Sequence, residues 1–415
     1  MQELVTIILA DESNASNKYG PEPGYEICGA PCLTYITDAV KQIGTDSIIM
    51  VYNNMPDESN QISDTNLKIT TVKSVTEILN NQISINKNKH VLLIIGANLP
   101  AISGETLKDA FNNHISGDKQ ITVLTSYNSD SNSGIYYLNI DTFLSIFSQH
   151  NSENNTPGSA IENALDSFSI NIYKASDSSE LIRVHDSVSL NEAEEIIRKR
   201  IIRSHMENGV VFHLPDTSII HKNVKIGRNT VINPGTILEG DTYIGENCEI
   251  GPYARIQNSR LGDNVKFMNS VMIESRIGDN TTVGPFAYIR PNCDIGNNIK
   301  IGDFVEVKNS IIGDNTKVPH LSYVGDADVG KFVNFGCGSV LVNYDGRKKH
   351  RTTVCDHAFI GCNVNLVSPV TVKEYAYIAA GSTITEEVPE YALAIARSRQ
   401  TIIENWVKRK GLDKK

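Results

Sequence analysis

The chain lacks any excess of basic charge. Its 38 Lys and Arg are outweighed by 48 Asp and Glu, a formal net charge of -10, which excludes a general nucleic-acid binder built around a basic face. Long hydrophobic runs are also missing. No apolar stretch approaches the ~20 residues that a spanning helix needs. The N-terminal MQELVTIILADES has no basic region ahead of its short apolar run, so it does not read as a secretory signal. Cysteine is sparse: Cys28, Cys32, Cys248, Cys293, Cys337, Cys355 and Cys362 are odd in number and mostly far apart, which excludes a disulfide framework. Cys28 and Cys32 form C-x-x-x-C, but no second Cys or His pair follows at zinc spacing, and no metal site is assigned. These absences predict a cytoplasmic protein with neither membrane nor nucleic acid as a partner.

What is present divides the 415 residues into parts of different period. In the first part, LVTIILA (4–10), SIIMVYN (47–53) and HVLLIIGA (90–97) are apolar strand runs. CLTYITDAVKQIG (32–44) has helical periodicity, and GIYYLNIDTFLSIFSQ (134–149) reads as strand then helix. The alternation predicts an open, mostly parallel α/β sheet over 1–187, punctuated by Asn- and Ser-rich loops such as 126–134 and 150–159. Residues 188–209 predict a linker helix, with Ser189 as N-cap, Glu192 completing a capping box and Gly209 as the stop. The tail, 389–415, reads as helical and basic, carrying Arg397, Arg399, Lys408, Arg409, Lys410, Lys414 and Lys415. It is either a solvated terminus or a set of bases that meet phosphates of a ligand or a neighbouring subunit.

Between linker and tail the period is six. Ile226, Ile232, Leu238, Ile244, Ile250 and Ile256 are each six apart; so are Ile277, Val283, Ile289, Ile295, Ile301 and Val307, and then Ile360, Leu366, Val372, Ile378 and Ile384. Six fits neither a helix nor a meander. It is the signature of a hexapeptide parallel β-helix over 210–388, in which three short strands make one coil and each apolar residue enters a continuous core. Such coils leave long lateral faces to be covered, and a trimer suits a triangular prism. The repeat is interrupted at 316–338 and at 340–357, the second long and polar enough to project as a loop. Both interruptions are rich in groups able to hold a phosphorylated sugar: Tyr323, Asn334, Asn343, Tyr344 and Lys349, with Arg290 and Lys308 just ahead of them and His320 in their midst.

The motifs YIRPNCDIG, GDFVEVKNS, HLSYVGDADVG, VNFGCG, NYDGRKKH, VSPVTV, IAAGSTIT and LAIARSRQ resemble, in order and spacing, those of the bacterial bifunctional GlmU family. That family joins an N-acetylglucosamine-1-phosphate uridylyltransferase domain to a glucosamine-1-phosphate N-acetyltransferase domain. The resemblance is close over 200–400 and faint but collinear over the first 185 residues. It implies a nucleotidyltransferase-like, Rossmann-like first domain, a left-handed parallel β-helix as the second, and a homotrimer. It also implies His320 as general base. The chemistry is consistent: an amino sugar is largely protonated near neutral pH, only the free amine attacks a thioester, and an imidazole can take that proton. Sugar-phosphate contacts fall by resemblance on Arg290, Lys308, Tyr323, Asn334 and Lys349, where guanidinium and ammonium suit a phosphate dianion. Acetyl-CoA contacts fall on Cys337, Asn343, Tyr344, Cys362, Ala380 and Arg397, with a backbone N–H near Ala380 for the oxyanion. Cys337 and Cys362 depart from the family's alanine and serine. His213, His221, His350 and His357 lack such company and read as surface or packing residues.

The first half departs further. The family's glycine-rich L-A-A-G-x-G-T-R-M is replaced by LADESNASNKYG (9–20), with Asp11 and Glu12 where phosphate oxygens would lie. Ala97 stands at the magnesium-binding aspartate and His185 at the second metal ligand, and VKSVTEILNNQIS (72–84) has no Q-x-G-T. The fold is expected to survive without nucleotidyl transfer, magnesium being needed only if that activity persists. The function expected is N-acetylation of glucosamine 1-phosphate in UDP-N-acetylglucosamine and cell-wall synthesis. The alternatives are another amino-sugar acceptor, a non-catalytic scaffold or regulator, and the full bifunctional enzyme.

Overall fold

The computed structural model describes residues 4–10, 25–52, 68–80, 89–127, 132–148 and 156–413. The expectations placed on Asp11, Glu12, residues 81–84, Lys414 and Lys415 fall outside them. The chain forms two compact units, Met1–Ile201 and Ile202–Lys415.

The first unit is a seven-stranded sheet. Its strands are β1 (Leu4–Leu9), β2 (Ser47–Val51), β3 (Lys68–Val72), β4 (His90–Ile95), β5 (Ile121–Ser126), β6 (Asn132–Asn139) and β7 (Ile170–Ala175), in spatial order β3-β2-β1-β4-β6-β5-β7. β1, β2, β3 and β4 are parallel, β6 runs antiparallel to β4 and β5, and β7 is parallel to β5. The continuous apolar run of β1 follows from burial on both faces. Leu4 and Ile8 pack against Ile36, Val40, Leu107 and Phe111 of the helices Cys32–Gln42 and Gly104–Ser116. Val5, Ile7 and Leu9 pack on the other side with Phe143, Phe147 and Ile161 of Ile140–Ser148 and Pro157–Ala164. The strand order reverses about β1, so a crevice opens beyond the carboxyl ends of β1 and β4.

The long helix runs Ser187–Glu207 and starts two residues earlier than its Ser189 suggested. Asp186 caps it, accepting from Ser189 N at 2.8 Å, while the Ser189 hydroxyl returns a bond from Asp186 N at 3.0 Å. The capping box is D-x-x-S rather than S-x-x-E, because Asp186 and Ser189 satisfy each other's backbone N–H groups first. Gly209, at φ +90, follows the end. No helix among the described residues is long and apolar enough to cross a membrane.

The second unit is a left-handed parallel β-helix whose three faces are all-parallel sheets of 11, 10 and 9 strands. The apolar column predicted from the period is the core: Ile232, Ile250, Ile289, Ile301, Leu366 and Ile378 are fully buried. The apparent interruption at 316–338 is instead regular coil. Lys317–His320, Tyr323–Gly325, Ala327–Val329 and Asn334–Phe335 all continue the sheets, with Val318, Val324, Val329 and Phe335 inward. A five-residue step from Val324 to Val329 hides the register. The second interruption does leave the coil between Val340–Val342 and Thr352–Val354. The tail is helical only over Trp406–Arg409; Leu393–Ala394 extends a sheet instead, pairing with Tyr377–Ile378, because the last coil offers an unpaired strand edge.

Corner residues adopt left-handed backbone. At one corner Asn229, Asn247, Asn264, Asn280, Asn298 and Asn315 repeat, a residue type that tolerates φ > 0. The same corner then continues with Phe332, His357, Tyr375 and Tyr391, stacked ring on ring at 4.9, 4.6 and 5.0 Å. Stacking offsets the backbone cost of bulky side chains at positive φ.

A buried imidazole makes the first unit acid-sensitive. His114 is 3% exposed, hydrogen-bonded to Thr122 Oγ1 at 2.9 Å and edge-on to His90. Burial lowers its pKa from 6.5 to about 4. The unfolded chain therefore takes the proton first, so this contribution to stability is whole above about pH 6.5 and is lost as pH falls toward 4, by about 3 kcal/mol in all. Urea unfolding followed by far-UV circular dichroism at pH 7 and pH 4.5 should show a smaller loss on acidification for His114→Asn than for wild type.

Candidate functional site

Every coil returns the chain through the same corner between the 11- and 10-stranded faces, and one position of that corner carries four of the predicted residues. Asp303, His320, Cys337, Cys362 and Ala380 each directly precede a left-handed residue: Phe304, Leu321, Gly338, Asn363 and Gly381. The stacking is direct. Leu321 N donates to Asp303 O, Asn363 N to Cys337 O and Gly381 N to Cys362 O, at 2.8–2.9 Å. The five residues thus form one column parallel to the coil axis, with about 4.8 Å per rung. Gly361 is required by the close approach: a Cβ there would lie 2.6 Å from Ala380 N.

The column also presents backbone donors. The N–H groups of Ala379 and Gly381 bond within the coil, whereas those of Cys337, Cys362 and Ala380 make no such bond among the described residues. Ala380, expected to serve the oxyanion, is three rungs from His320. At about 14 Å one carbonyl carbon cannot meet both, and Cys337, one rung from His320, is the nearer donor. Arg397 lies at the far end of the column, its Cδ 3.9 Å from where a Gly381 Cβ would be.

His320 ends the strand Lys317–His320 and is half exposed. Its Nδ1 is 2.6 Å from Oδ1 of Asp303, whose strand pairs residue for residue with it. The Ser322 hydroxyl donates to His320 O at 2.8 Å and ties down the turn. The hydrogen bond with His320 holds the Asp303 carboxyl below the usual range.

A cation cluster stands on the adjoining 10-stranded face. Arg290 donates to Glu306 at 2.8 Å. Lys308 is pushed below its ordinary pKa, chiefly by the neighbouring Lys349 of the projecting loop and then by burial, with Arg290 adding to the effect. Three cations held this close favour an anion among them. Asp326, 5% exposed, fixes the polar neighbours: it accepts from Asn343 and Asn309, each at 2.6 Å, and the same Asn343 amide reaches Tyr323 Oη at 3.2 Å. The loop is stiffened by Asp345, which accepts from Arg347 N, Lys348 N and His350 Nε2; those bonds lower its pKa to about 2. A bridge between Tyr344 and Lys349 closes it. Asn334 stands apart on the 11-stranded face, in register with Lys317.

Of the predicted residues the structure thus gathers Arg290, Lys308, Tyr323, Asn343 and Lys349, and aligns His320, Cys337, Cys362 and Ala380. Sequence reasoning missed Asp303, Glu306 and Asp326. A signal existed for Asp303: it lies 17 residues before His320, one coil of this solenoid.

The crevice of the first unit is filled by the chain itself. Arg183 donates to Asn98 Oδ1 at 2.8 Å, Ile95 O at 2.8 Å and Ser133 O at 2.6 Å. It presses on Gly134, where a Cβ would clash with its Nη2. Magnesium does not fit this arrangement. Ala97 has no donor atom, His185 Nδ1 is engaged with Arg183 O at 2.9 Å, and a guanidinium already supplies the positive charge. No cluster of three or more His, Cys, Asp or Glu suited to a metal exists among the described residues. Arg183→Ala should leave three acceptors without their donor and cost the first unit about 1–3 kcal/mol, read as a lower midpoint in urea.

The bacterial transferase hexapeptide (six repeats) family matches residues 223–258 and 274–309. The whole chain is similar to proteins named "Bifunctional protein GlmU". That of Acetivibrio thermocellus is 40% identical over 455 positions, covering 99% of each chain. That of Thermoanaerobacter pseudethanolicus is 40% identical over 451, covering 98% of each, and that of Clostridium beijerinckii 38% over 461, covering all of both. These alignments are longer than this chain, so the relatives carry segments that it lacks.

Proposed function

Because the chain belongs to the bifunctional GlmU family, we propose that its second unit is a glucosamine-1-phosphate N-acetyltransferase using acetyl-CoA, and that its first unit no longer transfers uridylyl groups. The observation that carries this reading is the corner column: a histidine and a row of unengaged backbone N–H groups on one line, beside a cluster of three cations. The sugar phosphate lies against Arg290, Lys308 and Lys349, with Tyr323 on the sugar. Acetyl-CoA follows the column past Cys337, Cys362 and Ala380 toward Arg397, with Asn343 and Tyr344 at its side. The thiols of Cys337 and Cys362 are small enough to leave that track open.

His320 accepts the proton that keeps the amine from attacking. The freed nitrogen adds to the thioester carbonyl, the C–N bond forms and the carbonyl pair moves onto oxygen. The N–H of Cys337 meets that oxyanion, a contribution of about 3–4 kcal/mol where such donors act. Collapse breaks the C–S bond. CoA leaves as the thiol, carrying the proton shed by the new amide nitrogen, and His320 returns its own proton to water. No covalent enzyme intermediate is needed.

Loss of uridylyl transfer rests on Ala97 and on the Arg183 guanidinium in the crevice. The retained Arg290, Lys308 and Lys349 favour a phosphorylated acceptor over a bare amino sugar. An intact catalytic corner weighs against a scaffold alone. The solenoid is read as a homotrimer, with sedimentation at three times the 45.7 kDa chain mass as its check. Two assays test the activity. Thiol release from acetyl-CoA with glucosamine 1-phosphate should fall about a hundredfold or more in His320→Ala. Pyrophosphate release from UTP, N-acetylglucosamine 1-phosphate and magnesium should be absent. Turnover in the second assay would overturn the account of the first unit, and undiminished activity of His320→Ala that of the second.

A further inference from the structure

We propose that Asp303 is a positioning residue for His320: its carboxylate fixes which imidazole nitrogen is the base and stabilises the imidazolium formed when the amine gives up its proton. This rests on the acetyltransferase reading and names a residue that reading does not use. The geometry carries it. Asp303 Oδ1 and His320 Nδ1 are 2.6 Å apart, and the parallel ladder sets the two residues opposite each other on adjacent coils. The backbone beneath them is fixed by Leu321 N donating to Asp303 O and by Ser322 Oγ donating to His320 O.

The tautomer follows from donor and acceptor inventories. An ionised carboxylate only accepts, so Nδ1 must carry the hydrogen. In the neutral ring the lone pair then lies on Nε2, the nitrogen turned away from Asp303 and available to a substrate amine. Once Nε2 is protonated, the ring is a cation hydrogen-bonded to an anion. A carboxylate orienting a histidine base in this way is the logic of hydrolytic triads, met here on a solenoid corner and without a nucleophilic side chain. The neighbouring charged and titratable groups are few. Lys300, on the Asp303 strand, acts on Asp303. Lys317 begins the His320 strand, Glu306 and Tyr323 begin the next face on the two coils, and Cys337 is the following rung. Asp303 is the group hydrogen-bonded to the ring.

The test compares Asp303→Asn, Asp303→Ala and Asp303→Glu with His320→Ala in the full chain, by thiol release across pH 5.5–9. An amide can donate to Nδ1 as well as accept from it, so the asparagine variant admits the tautomer whose Nε2 already bears hydrogen. Asp303→Asn and Asp303→Ala should lose about tenfold to a hundredfold in kcat, with the KM for acetyl-CoA within about twofold of wild type. A fall in kcat with KM held is a readout that mere loosening of the corner would not give. Asp303→Glu should recover part of kcat. If both variants keep the wild-type kcat while His320→Ala is inactive, the role of Asp303 is overturned and the acetyltransferase reading stands. If His320→Ala is itself fully active, that reading falls.

Discussion

The site of the second unit depends on one constraint: parallel strands of two or three residues must pair coil over coil while their apolar residues point inward. That pairing forces the chain around three tight corners in every coil, and most of these corners turn through the left-handed region. Whatever residue precedes such a turn is delivered to the same place on every rung. Asp303, His320, Cys337, Cys362 and Ala380 share a column for this reason, although they are far apart in sequence. The cations of the adjoining face are set by the same ladder, since Arg290 and Lys308 leave the ends of strands one coil apart.

Much of this is legible in the sequence because the controlling period is short. Ile277 to Val307 announces the core by spacing alone, and the apolar runs at 4–9 and 90–95 announce buried parallel strands. What escapes is whatever depends on distant pairing. The stretch around Val324 and Val329 reads as a break because one corner is a residue shorter, although the pairing is uninterrupted. Ser189 looks like a cap because local rules cannot tell which of two polar residues engages the first free N–H groups. The tail looks helical by composition, yet Leu393–Ala394 is drawn to an open sheet edge. Asp303 becomes significant only once a coil length is assigned, and Arg183 only once the carboxyl end of β4 and the amino end of β6 are adjacent.

The first unit illustrates the independence of a core from its crevice. Its two apolar layers, one around Phe111 and one around Phe143, are built from strands and helices, and Ala97 and Ile95 at the carboxyl end of β4 only pack at their margins. Residues there can be exchanged without disturbing the packing. Ala97, standing where the resemblance implies an aspartate, is such an exchange. Arg183 adds hydrogen bonds to Ile95 O, Asn98 and Ser133 O that tie this end of the sheet together.

The corner column also limits how such a protein can vary. Distances between its groups come only in whole rungs, because a partial coil would turn every inward side chain out of the core. A solenoid enzyme can therefore lengthen or shorten the track between its proton acceptor and its outermost ligand contact only by gaining or losing a full circuit of the chain. Finer adjustment is left to the size of the side chain on each rung, and thiols standing where a methyl or hydroxyl would serve are adjustments of that kind.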